Sequence, residues 1–271
     1  MIEQVFVFIF GAVIGSFLNV CIHRMPTEGY SLISPRSHCP NCKKPILWYD
    51  NVPLLSYVVL GGECRFCRQK ISFRYFAVEL LTAAMFLFLY NLFGLSYNFF
   101  FCALFLCGLT VATFVDIQHR IIPDEISLGG ILAGFILRTA SGISISPLAF
   151  NPHPLVNSLL GIIVGGGVIF LTGFIFDIVY FKLLKRPAIQ GETQSMGDGD
   201  VKLLAMIGAF LGWERALLTF FIAPFFGAVI GFANLLIKKD HTMPYGPFLS
   251  LGAVLSLFWA EKIIGLALHL R

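Results

Sequence analysis

Residues 98–116, NFFFCALFLCGLTVATFVD, run from Asn98 to Val115 without a charge and then close on Asp116. A stretch of this kind reads as a helix crossing hydrocarbon, which takes about 20 apolar residues. Working outward, further apolar runs lie near 2–22, 76–97, 126–141, 155–181, 201–213, 216–237 and 246–268. The run 76–115 is apolar nearly throughout and splits at Gly94–Asn98. The sequence therefore predicts an all-α polytopic membrane protein with about eight transmembrane helices. The run 201–213 is the odd one. At 1.5 Å per residue it reaches about 20 Å, short of a ~30 Å hydrocarbon core. It is either a short helix protected by its neighbours or a segment that does not cross.

Composition agrees. Of the 271 residues, 57% are hydrophobic and only 13% charged, against about 25% charged in soluble domains. A soluble domain and a disordered chain are both excluded. The net charge of +4 is too small to indicate nucleic acid as a partner; the lipid bilayer is the partner that the composition implies. The start, Met1-Ile2-Glu3-Gln4, has no basic residue. Residues 1–22 are therefore expected to be a mature first span and not a cleaved signal.

Sidedness follows from the positives. Fifteen of the nineteen lysines and arginines lie in or beside the loops after spans one, three, five and seven; only Arg138, Arg215, Lys262 and Arg271 lie elsewhere. Positive loops stay in the cytosol, so the N-terminus is expected outside. The expected domains are a first transmembrane helix (1–23), a cytosolic loop (24–75) and a transmembrane bundle (76–271).

That loop holds Cys39-Pro40-Asn41-Cys42 and Cys64-Arg65-Phe66-Cys67. Each CxxC aims two sulfurs at one point, and two such knuckles supply four thiolates to a tetrahedral, zinc-ribbon-like site. A structural Zn²⁺ on Cys39, Cys42, Cys64 and Cys67 is the favoured reading. A redox dithiol pair and unliganded cysteines are the alternatives. Lys43, Lys44, Arg65 and Arg68 are expected to offset the charge of the tetrathiolate. His38 reads as surface, and Cys21, Cys102 and Cys107 as packing residues.

Acids number only 15, so their positions inform. Asp116 closes the third span and Asp200 opens the sixth; both are expected at the cytosolic boundary, where acids beside apolar helices are costly and usually functional. Two carboxylates so placed suit aspartyl-protease chemistry, one ionised and one protonated. Buried acids also serve transporters of protons or cations, which is the alternative function. Asp124 reads as a helix cap, Asp198 as a turn residue, Glu79 as a structural hydrogen bond or ion pair near Arg74, and Asp177 as a partner of Lys182. His119 and Arg120 read as solvated loop residues. Gly11-x-x-x-Gly15 and Gly165-Gly166-Gly167 read as faces for close helix packing.

These residues, taken together, match a family pattern. It comprises Gly15-Ser16-Phe17-Leu18-Asn19-Val20, the paired CxxC motifs with Trp48-Tyr49-Asp50-Asn51-Val52-Pro53-Leu54-Leu55-Ser56-Tyr57 between them, Arg74-Tyr75, and Val78-Glu79-Leu80-Leu81. The segment from Asp116 to Asp124 follows, then Gly197-Asp198-Gly199-Asp200-Val201-Lys202-Leu203. The chain resembles the bacterial type IV prepilin peptidases, GxGD-type aspartyl membrane proteases of pilus and type II secretion systems. The resemblance implies a bifunctional enzyme of the inner membrane with its active site at the cytosolic face. It implies removal of the short basic leader of prepilins and pseudopilins after a glycine. N-methylation of the new N-terminus with S-adenosylmethionine would follow. By resemblance the catalytic pair is Asp116 and Asp200. The chain departs from the family pattern at Asp198 and Gln118. No residues are assigned to the methyl donor.

Overall fold

The computed structural model describes residues 1–27, 31–33, 37–141, 153–184, 196–238 and 243–267. Its helices are α1 (Ile2–Arg24), α2 (Leu55–Val59), α3 (Phe73–Phe93), α4 (Tyr97–His119), α5 (Asp124–Ser141), α6 (Pro154–Asp177), α7 (Asp198–Leu211), α8 (Trp213–Lys238) and α9 (Gly246–Ala267). All but the short α2 correspond to the eight apolar runs. Six of them, α1, α3, α4, α6, α8 and α9, contain stretches long and apolar enough to cross a membrane. The chain divides into two compact units, Met1–Val111 and Ala112–Arg271.

In the first unit, α1 lies on α3 through its glycines. A Cβ at Gly11 would come within 2.8 Å of Phe86 Cβ, and one at Gly15 within 2.7 Å of Glu79 Cα. Only hydrogen at these positions lets the two backbones approach so closely. The start of α3 is capped by Ser72, whose side chain accepts the Arg74 N–H at 3.4 Å. The helix stops at Gly94, φ 60°, in the left-handed region that side chains disfavour.

In the second unit the short helix α7 is the hub. Every residue from Leu203 to Leu211 is buried. Fourteen residues span about 21 Å, so the helix is protected by protein and not by its own length. The protection is steric. Gly161 and Gly208 meet backbone to backbone, so that a Cβ on either would fall inside the other's carbonyl. A Cβ at Gly165 would meet the Leu204 carbonyl oxygen at 2.5 Å, whereas Gly166 has ordinary contacts and Gly167 faces open space. The predicted glycine face is thus narrower than the Gly165–Gly167 run and extends to Gly161. From α5, Gly130 faces Met206 and Gly134 faces Phe210. A buried helix end leaves carbonyls without partners. Here Ser158 Oγ donates to the Ala209 carbonyl at 2.9 Å, and the buried Arg138 donates to that of Phe210. The chain turns at Gly212, φ 88°, and the Asn157 side-chain oxygen accepts the Trp213 N–H that opens α8. The expected Asp177–Lys182 pair falls outside the description, because the Lys182 side chain is not among the described residues.

Candidate active site and metal centre

Two helix ends carry the aspartate pair, both within the second unit. Asp116 lies in the last turn of α4 and Asp200 in the first turn of α7. Asp116 is 6% exposed. Its Oδ2 accepts the Gly246 N–H at 2.8 Å, and a Cβ at Gly246 would sit 2.7 Å from that same oxygen. The contact therefore requires glycine where α9 begins. Asp200 is half-buried. Its N–H donates to the Gly197 carbonyl at 3.1 Å. Beside it Gly199 lets the loop after α4 close in, since a Cβ there would meet Ile122 Cβ at 3.1 Å. Asp116 and Asp200 lie within electrostatic reach of each other. The N-terminus of α7 favours an anion at Asp200.

The neighbouring acids are placed differently. Asp198 opens α7 but is exposed. Asp124 binds Lys202 Nζ at 2.6 Å, tying the start of α5 to α7. Gln118, His119 and Arg120 are exposed.

Tyr245 and Gly246 escape a reading of the sequence. Tyr245 lies within electrostatic reach of Asp200. Burial first, and then the Asp200 charge, push its phenol up to about 12, so it remains a hydrogen-bond donor at neutral pH. The signal available was Pro244-Tyr245-Gly246-Pro247 at the mouth of an apolar run. Two prolines around a glycine mark a shaped turn.

In the first unit the four cysteines converge. The Sγ atoms of Cys39, Cys42, Cys64 and Cys67 all lie within 4.8 Å of one another, with Cys39–Cys67 at 3.8 Å and Cys42–Cys64 at 4.0 Å. Tetrahedral zinc with bonds of about 2.3 Å sets sulfurs ~3.8 Å apart, so the donor set fits a metal such as zinc. The two knuckles fold alike. Cys39 N–H donates to the Lys44 carbonyl and Lys43 N–H to that of Cys39; Cys64 N–H donates to the Gln69 carbonyl and Arg68 N–H to that of Cys64. Lys43 and Arg68, both at φ 58°, turn the chain at equivalent places. The Gln69 N–H, helped by the Asn41 side chain, lowers the Cys67 thiol to about 6, whereas burial and the neighbouring sulfurs push the Cys42 thiol up to about 11, so a bound metal would have to displace a proton that the cluster holds.

The expected charge balance is redistributed. Arg65 forms a bidentate pair with Asp50 at 2.6 and 2.8 Å, and holds that carboxyl below its usual range. Lys44 lies over the Phe66 ring at 4.7 Å. Of the two readings of Glu79, the structural hydrogen bond is the one present, and five residues along the helix set its side chain about 140° around from Arg74. Its Oε2 accepts the Leu54 N–H at 2.8 Å, and Arg74 stacks on the Tyr75 ring at 4.8 Å.

Comparison with known proteins agrees with this division. The bacterial peptidase A24 N-terminal domain matches residues 9–93, which include the four cysteines. The type IV leader peptidase family matches residues 103–232, which include both aspartates. The prepilin leader peptidase/N-methyltransferase of Aeromonas salmonicida is 31% identical, covering 95% of this chain and 91% of that protein. The protein of the same name from Myxococcus xanthus is 38% identical over 86% of this chain and 63% of its own length. The Pseudomonas aeruginosa one is 30% identical over 93% and 89%. No solved structure matches the chain. Similarity that runs through both units, at this identity and over nearly the full length of the Aeromonas protein, means that the chain belongs to the type IV leader peptidase family.

Proposed function

We propose that this chain is a prepilin leader peptidase and N-methyltransferase of the inner membrane, with Asp116 and Asp200 as its catalytic pair. The observation that supports the peptidase half is two carboxyls at helix ends within electrostatic reach of each other, one tied to a backbone N–H. Like charges held close share one proton. The ionised carboxyl takes a proton from water as the water attacks the peptide carbonyl. The protonated one donates to the carbonyl oxygen. Tyr245 offers a further neutral donor beside Asp200. The substrate is the short basic leader of a type IV prepilin or pseudopilin, cut after glycine. Its apolar N-terminal helix lies among the spans, and the leader meets the site at the cytosolic face.

Four thiolates close the coordination shell of zinc, so the metal holds the loop together and takes no part in hydrolysis. S-adenosylmethionine, when bound, supplies an electrophilic methyl for the new N-terminus. The names of the relatives lend nothing to a transporter reading.

Purified protein incubated with a prepilin, with mass spectrometry reporting both the cut and the added methyl, tests the proposal. Asp116→Asn and Asp200→Asn each abolish leader removal while the protein still inserts. Normal processing by either variant defeats the assignment.

A further inference from the structure

One polar spot in the first unit is left unused by peptide hydrolysis. The close approach at Gly15 brings Ser16 and Asn19 of α1 against α3. Asn19 is 3% exposed, and its Nδ2 donates to the Tyr75 carbonyl at 2.9 Å. Its Oδ1 is buried without a hydrogen-bond partner. One turn along α3, Glu79 is half-buried. Its carboxylate takes hydrogen bonds from the Leu54 N–H at 2.8 Å and from the Ser16 side chain. Leu54 supplies that N–H at φ 63°, a backbone state uncommon for leucine.

The chemistry of this spot is lopsided. Asn19 is held at the Tyr75 carbonyl, and Glu79 follows Tyr75 by four residues, one helical turn along α3. The Glu79 carboxylate and the orphaned Asn19 oxygen are both acceptors. The group that satisfies both carries a positive charge and several N–H bonds, which an ammonium does. Two kinds of ammonium come with a prepilin: the lysines of its leader and the amine freed by cleavage. An α-amine has a pKa near 8 against about 10.4 for lysine, so a carboxylate removes its proton far more readily.

We propose that Asn19 and Glu79 bind the newly freed N-terminal ammonium of the cleaved pilin, and that Glu79 takes its proton before methylation. The proposal rests on the methyltransferase reading above. The ammonium gives one proton to the Glu79 carboxylate and becomes a neutral amine. The amine nitrogen then bonds the methyl carbon as the carbon–sulfur bond of the sulfonium donor breaks. That electron pair stays on sulfur, which leaves as a neutral thioether, and the positive charge passes to the methylated amine. Glu79 later releases its proton to water.

The test uses the full-length protein and two peptides of a mature pilin N-terminus, one with a free amine and one N-acetylated. The wild type binds the free amine at least about tenfold more tightly, the scale of a charge-assisted hydrogen bond. Glu79→Gln erases that preference. Glutamine keeps an oxygen for the Leu54 N–H, so a purely structural role for Glu79 survives the change and an ammonium-binding role does not. With intact prepilin, the same variant lowers the ratio of methylated to unmethylated cleaved product by about 10²-fold. Equal binding of both peptides by the wild type overturns the proposal, as does wild-type methylation by Glu79→Gln. Cleavage lost together with methylation assigns Glu79 to the fold and overturns it as well. A wild type that cuts but never methylates sinks the methyltransferase reading itself, whereas the other outcomes leave that reading standing.

Discussion

The Gly246 N–H donates to Asp116 Oδ2 at 2.8 Å, across 130 residues of sequence. The bond fixes one oxygen of the pair and leaves the other for chemistry. A methyl group at 246 would stand 2.7 Å from the bonded oxygen and displace it. Gly246→Ala is therefore expected to lower prepilin processing sharply while insertion persists. Gel-shift processing assays beside a measurement of protein in the membrane fraction check this, and full processing would contradict the contact's role.

Tyr245→Phe removes a donor near Asp200 without changing shape. Processing falls, by about tenfold if the phenol contributes one ordinary hydrogen bond of ~1.4 kcal/mol in the transition state. The folded phenol titrates near 12, above the usual value of about 10. It therefore keeps its proton throughout pH 6–9. Over that window the pH profiles of the wild type and Tyr245→Phe should have the same shape at different heights. An alkaline limb that vanishes in the variant would show the phenol ionising earlier.

Asp198 separates the two acids of the motif. It is exposed, and exposed substitutions usually cost within about 0.5 kcal/mol. Asp198→Asn should keep processing within roughly a factor of two, in contrast to Asp200→Asn. A null phenotype for Asp198→Asn would transfer the catalytic role to the wrong residue for this geometry.

Gly208 and Gly167 make a matched pair in the second unit. Alanine at 208 must enter the Gly161 carbonyl, whereas alanine at 167 meets nothing within 4 Å. Overpacking of this kind costs about 1–3 kcal/mol or more, while Gly→Ala in a free helix position gains up to about 1 kcal/mol. Thermal unfolding in detergent should drop for Gly208→Ala and hold or rise for Gly167→Ala. Equal melting of the two variants would refute the backbone contact.

The cysteines make a prediction about metal. Cys42→Ser or Cys64→Ser removes one of four ligands and should lower bound zinc, measured by elemental analysis of the purified protein, and expose the 38–70 loop to protease. Leader cleavage should suffer less than metal content, since the thiolates hold a loop and leave hydrolysis to the carboxyls. Unchanged zinc in both variants would reject the site.

Much of this is legible in the sequence, for definite reasons. Apolar runs declare helices because so few residues other than those in loops are charged, and CxxC spacing declares a ligand pair because the knuckle is local. What stays hidden is whatever depends on contacts between distant segments. The status of residues 201–213 turns on Gly161 of another helix and not on their own hydropathy. Tyr245 and Gly246 become visible only when the start of α9 is set beside the end of α4. Glu79 finds Leu54 because an unusual backbone torsion aims the N–H at it, which no periodicity foretells.

The burial of α7 bears on the lipid surroundings. Helices that face lipid adapt to a thicker or thinner bilayer by tilting or by distorting the membrane around them. From Leu203 to Leu211 this helix has protein on its sides, and its depth is set by the glycines that clasp it. Asp200 precedes Gly208 by about 12 Å along the axis. Hydrophobic mismatch therefore strains the outer helices first, and the carboxyl keeps its level when the composition of the membrane changes.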